Sequence, residues 1–95
     1  MPKGYLVARA QVTNPDQWAL YVEKSKIALA KFGGQPLARG GRYEIIEGEG
    51  TPRNVVIEFP SFEDALGYVR SPEYAEAKAL RQGAGIMNMT ILEGV

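Results

Sequence analysis

Ninety-five residues with eleven basic and eleven acidic side chains describe one small domain of zero formal charge, which excludes the basic field that collects nucleic acid or an anionic membrane. The absence of cysteine and histidine excludes disulfides, thiolate chemistry and the usual zinc, copper and haem ligands, so no cofactor is expected and any metal site is confined to carboxylates. No apolar leader precedes the first strand and no stretch approaches the roughly 20 apolar residues that span a bilayer, so the reading is a cytoplasmic protein, small enough to gain from burying surface in a homodimer.

Tyr5 to Val12 alternates, with Leu6, Ala8, Ala10 and Val12 on one face and Tyr5, Val7, Arg9 and Gln11 on the other, which predicts the first strand. Asn14-Pro15 starts a helix: the Asn side chain accepts a backbone N–H as N-cap, Pro suits the first helical position and Asp16 suits the positive end of the dipole. Trp18, Tyr21, Val22, Ala28, Leu29 and Phe32 recur at spacings of three and four and carry the helix to about Phe32. Gly33-Gly34 supplies a left-handed cap and Pro36 prevents continuation.

A second strand is expected from Leu37, interrupted at Gly40-Gly41 by a bulge or close backbone approach, and resumed over Tyr43–Glu47. Gly48-Glu49-Gly50-Thr51-Pro52 reads as a turn into a third strand, Asn54–Phe59, antiparallel to the second. Ser61 caps a helix with Glu63 and Asp64 in its first turn, and Ser71-Pro72 restarts it, so a two-piece helix is predicted. Gly83 and Gly85 end it, and Ile86–Leu92 is the last strand.

The order is βαββαβ, the ferredoxin-like α+β arrangement of an antiparallel sheet with its helices on one face, spanning residues 1–95 as a single domain. The uniformly apolar sets, Leu6/Ala8/Ala10/Val12, Val55/Ile57/Phe59 and Met87/Met89/Ile91, are assigned to the helices. The opposite face mixes Val7, Val56, Ile86 and Leu92 with Arg9, Glu58 and Asn88. Such a mixture suits a face that is half interface and half pocket.

Arg9 and Glu58 fall on the two central strands, which predicts an ion pair across the sheet or, alternatively, one of them turned to a ligand. Arg39, beside Gly40-Gly41, is placed to anchor an anion or carboxylate. Tyr74 and Arg81 lie two turns apart on one helix face, where a hydroxyl and a guanidinium could hold and polarise a carbonyl or carboxylate; read structurally, Tyr74 is a core-edge ring and Ser71 beside it an N-cap. Without histidine or cysteine the common nucleophile dyads are absent, and Gly48-Glu49-Gly50 and Gly83-Ala84-Gly85 lack the remainder of a phosphate loop. Glu58 is left as the acid–base candidate.

Gly33-Gly34, Leu37-Ala38-Arg39-Gly40-Gly41, Glu47-Gly48, the run Val56-Ile57-Glu58-Phe59-Pro60-Ser61, Ser71-Pro72-Glu73-Tyr74 and the later Arg81 together resemble the bacterial domain-of-unknown-function family 1330, over nearly the whole chain. The resemblance implies a dimeric α+β barrel, two ferredoxin-like protomers packed sheet against sheet, with the family pattern falling on Tyr21, Arg39, Gly40, Gly41, Glu58, Ser71, Tyr74 and Arg81. It implies no activity. The wider superfamily includes cofactor-free quinone-forming monooxygenases, lactone isomerases, haem-degrading enzymes and chlorite-decomposing haem enzymes, an analogy at the level of fold alone.

The combined reading is a homodimer that binds, or acts without cofactor on, a small carboxylate or carbonyl compound in a pocket at the open sheet face. Glu58 and Tyr74 are its catalytic candidates, and Arg9, Tyr21, Arg39, Gly40, Gly41, Ser71, Arg81 and Asn88 its ligand-binding ones. The alternative is a noncatalytic dimeric structural or accessory module. RNA binding by a sheet of this order is disfavoured, since the open face lacks stacked aromatics.

Overall fold

A computed structural model describes residues 2–95. The elements run β1 (Gly4–Val12), α1 (Pro15–Phe32), β2 (Gln35–Arg39), β3 (Arg53–Phe59), α2 (Phe62–Arg70), α3 (Pro72–Leu80) and β4 (Gly85–Glu93). The strands form one antiparallel sheet in the order β2-β3-β1-β4. The helix ends follow the local chemistry: Asn14 accepts the Gln17 N–H at 3.1 Å, Ser61 that of Asp64 and Ser71 that of Tyr74, while Gly33 closes α1 at φ +75°.

The core lies between the helices and one sheet face, where Leu6, Ala8, Ala10, Val55, Ile57 and Phe59 meet Trp18, Leu29, Ala65, Tyr68 and Ala77. Met87, Met89 and Ile91 pack against it from β4. With helices on one side only, the molecule is a slab of 36 × 33 × 17 Å. Its uncovered face carries Val7, Val56, Ile86 and Leu92 among polar neighbours, as the alternation requires.

Three expectations are corrected. The irregularity in β2 lies between Pro36 and Ala38 rather than at Gly40-Gly41, because a proline has no N–H to give the ladder and the strand must slip past it. The strand does not resume over Tyr43–Glu47; Gly40, at φ +69°, turns the chain away from β3, and residues 40–50 are exposed throughout. Arg9 and Glu58 do not pair: Arg9 stands opposite Asn54 and Glu58 opposite Tyr5, a separation of about 13 Å along the strand. Glu58 instead accepts a hydrogen bond from the Tyr5 hydroxyl at 3.2 Å.

Candidate ligand site

The inward side chains of β1 are Leu6, Ala8 and Ala10. Two alanines in a row leave the sheet without bulk beneath α1, and a cavity of about 40 Å³ remains there. Its walls are apolar on the sheet side (Leu6, Val55, Ile57, Met87, Met89) and carry Trp18, Tyr21, Ser25, Tyr68, Arg39 and Arg53 around them. Beside it lies an open cleft of about 520 Å³ between the first half of α1 and the chain near Gly40 and Pro52. Trp18, Val22 and Arg53 border both spaces, so the cleft and the cavity are adjacent.

The polar groups here are unusual in their pairing. Trp18 Nε1 and Arg53 Nε are both buried without a hydrogen-bond partner. A buried donor left in this way costs about 1–3 kcal/mol, and Arg81 Nε is a third in the same condition. Gly40 is part of the arrangement: a Cβ at this position would lie 2.7 Å from Arg53 Nη1. Its left-handed φ, +69°, would also strain any other residue.

Behind this wall the Tyr21 and Tyr74 hydroxyls meet at 3.0 Å, and the Arg81 guanidinium stands 5.1 Å from the Tyr21 ring centre and 5.7 Å from that of Trp18. Burial, and then the neighbouring Tyr74, push the Tyr21 phenol far above its ordinary 10.0; burial raises Tyr68 in the same direction. Both are therefore neutral hydroxyls near neutral pH, able to donate and accept hydrogen bonds but not to act as phenolate bases. Glu23, on the cleft, is paired with Lys26 at 2.9 Å.

Of the residues singled out from the sequence, Tyr21 and Arg39 line the cavity and Gly40 the cleft. Gly41 faces open space. Tyr74 and Arg81 come together as their spacing required, but behind Tyr21. Ser71 caps α3 and donates to the Tyr68 carbonyl at 2.8 Å, with both roles turned into the backbone. Arg9, Glu58 and Asn88 lie on the uncovered face, away from the cavity, which is on the helix side of the sheet. Trp18, Ser25, Arg53 and Tyr68 also line the cavity and were not among the residues singled out. Arg53 had a legible signal, a charge in phase with Val55, Ile57 and Phe59 on the core face of its strand, and Trp18 is the chain's single tryptophan on the inward stripe of α1.

Residues 3–95 match the family described as Domain of unknown function (DUF1330), and the chain belongs to that family. The RPA0582 protein of unknown function from Rhodopseudomonas palustris has a similar structure, with a TM-score of 0.79 at 18% identity over 99% of this chain and 83% of its own. SnoaB, a cofactor-independent oxygenase from Streptomyces nogalater, is similar with a TM-score of 0.66 at 10% identity over 97% of this chain and 92% of its own. A dimeric ferredoxin-like protein of unknown function from Thermobifida fusca has a TM-score of 0.56 at 17% identity over 97% and 91%. At these identities the likeness is one of fold. No curated protein matches the chain. Among the described residues no helix is long and apolar enough to cross a membrane.

Proposed function

We propose that the protein binds a small organic compound bearing a carboxylate or carbonyl oxygen, with its body in the cleft and that oxygen at the inner cavity. The observation that carries this is the pair of unpartnered buried donors, Trp18 Nε1 and Arg53 Nε, on residues that wall both spaces. The sizes agree: about 40 Å³ accommodates little more than an oxygen-bearing group or a water, whereas about 520 Å³ falls in the range of small-ligand pockets. Arg39 adds positive charge at the inner wall, and Tyr21, held by Tyr74, positions Trp18. Each site belongs to one protomer of a homodimer, an arrangement supported by the uncovered sheet face with its exposed Ile86 and Leu92 and by a structural neighbour described as dimeric.

Because Trp18 is the only tryptophan, its fluorescence reports the site directly. Titration with small carboxylic acids, lactones and quinols should change that fluorescence for at least one class. Arg53→Ala should weaken the same compound about 10- to 100-fold, the worth of one hydrogen bond to a charged group. Equal binding by Arg53→Ala would refute the assignment. The second reading, a noncatalytic dimeric module, is favoured by the large apolar side chains left exposed, Ile86 and Leu92 among them; it predicts an unchanged Trp18 signal across the whole panel.

A further inference from the structure

The bulge in β2 decides which way Arg39 points. Pro36 stands opposite Ile57, and in an unbroken ladder Arg39 would then stand opposite Asn54, out of phase with the buried Val55, Ile57 and Phe59. The extra residue between Pro36 and Ala38 moves the register by one, so Arg39 stands opposite Val55 and shares its inward face. One inserted residue thus carries a guanidinium from the open side of the sheet to the wall of the cavity.

Arg53 reaches the same wall from the neighbouring strand. It lies two positions before Val55, so the two arginines are diagonal neighbours on one face, with Cβ atoms about 7–8 Å apart. The Arg53 side chain leans toward β2: its Nη1 occupies the space over Gly40, the residue next to Arg39, where a Cβ would come within 2.7 Å. Two guanidinium ions brought together in this way repel each other unless an anion lies between them. The protein supplies none. Among the described residues the ion pairs are Lys24–Glu76, Lys26–Glu23 and Lys31–Glu73, none of them with an arginine. No side chain lining the cavity is acidic, and Glu23, the one carboxylate on the cleft, is held by Lys26.

We infer that Arg39 and Arg53 form a clamp for a carboxylate anion, so that the ligand is an ionised small acid and not a neutral carbonyl compound; this rests on the ligand reading above and narrows it. A carboxylate offers two acceptor oxygens in one plane, which suits guanidinium forks, and it cancels charge that a ketone, lactone or ester would leave uncompensated. Trp18 Nε1 is a further donor at the same wall. The body of the acid is apolar, since Val12, Pro15, Ala19 and Val22 line the cleft beside Trp18. A phosphoryl group is disfavoured, because Leu6, Val55, Ile57 and Met89 on the remaining wall give its third oxygen and second charge no donor.

The test is Trp18 fluorescence titration of the wild-type chain, of Arg39→Gln and of Arg39→Glu with matched compounds: benzoate, phenylacetate and hexanoate, each beside its methyl ester and primary amide, and phenylphosphonate. Arg39 is exposed, and an unchanged circular dichroism spectrum confirms folding of its variants. The expected result is that at least one acid binds, with its ester and amide about 10- to 100-fold weaker. Arg39→Gln should weaken the acid about tenfold and Arg39→Glu further, while neither alters the affinity of the ester by more than about twofold, a selectivity that a merely structural role would not produce. An ester or amide that binds as tightly as its acid overturns the clamp, and so does acid affinity unchanged in Arg39→Gln; the ligand reading survives either result if Arg53→Ala still weakens the compound. Phenylphosphonate binding tighter than every carboxylate overturns the assignment to a carboxylate. A response to a lactone or quinol with none to any acid overturns the clamp alone, whereas no response to any compound overturns both readings.

Discussion

Replacing the paired hydroxyls of Tyr21 and Tyr74 one at a time and together tests the wall of the site quantitatively. The hydroxyls lie 3.0 Å apart in a buried setting, with the rings edge to face at 6.2 Å. Tyr21→Phe removes a bond with a net worth of about 1 kcal/mol and leaves the Tyr74 hydroxyl without that partner, for a total loss of about 1–2 kcal/mol; Tyr74→Phe costs a similar amount. The double variant removes both partners and keeps both rings, so it should cost about 1 kcal/mol less than the sum of the singles. Urea unfolding at a fixed protomer concentration measures each value, and each single loss corresponds to a midpoint temperature lower by roughly 4–16 °C for a domain of this size. Single losses that add to within about 0.3 kcal/mol would refute the reasoning, because the two hydroxyls would then not be acting as a pair.

Two more outcomes follow from the same groups. Burial raises the Tyr21 and Tyr68 phenols above 10.0, so as pH rises past about 10 the unfolded chain loses these protons first. Stability should be flat in this respect below pH 10 and fall above it by up to about 1.4 kcal/mol per pH unit for each tyrosine; alkaline unfolding followed by phenolate absorbance checks this, and a midpoint insensitive to pH above 10 would contradict it. Ser71→Ala should cost about 1–2 kcal/mol, from the lost cap on Tyr74 N–H and the lost bond to the Tyr68 carbonyl, and leave ligand affinity unchanged; a loss of affinity without loss of stability would return Ser71 to the site.

Much of the fold was legible because its signals are local. Asn14-Pro15, Ser61 and Ser71-Pro72 start their helices by hydrogen bonds within three residues, and the two-residue period of β1, β3 and β4 sorts their side chains between faces. The same local rules misjudged Tyr43–Glu47, whose residues favour a strand although no strand among the described residues pairs with them. The lining of the cavity and cleft was legible only in parts. Arg39, Gly40 and the Tyr74–Arg81 spacing were seen, whereas Arg9, Glu58 and Asn88, singled out from the mixed character of their face, lie away from this cavity.

By itself, then, the sequence determined element order, caps, the apolar face of each strand and, through missing histidine and cysteine, the chemistries that are closed to the chain. Tertiary structure alone decided the rest. Strand register put about 13 Å between Arg9 and Glu58, and packing left space above Ala8 where α1 crosses the sheet. It also brought Trp18 and Arg53, thirty-five positions apart, to the walls of one cavity with their donors unpaired. Caps and periodicity act over a few neighbouring residues and are written in them, whereas register, voids and unmet hydrogen bonds are properties of segments that meet only when the whole chain has folded.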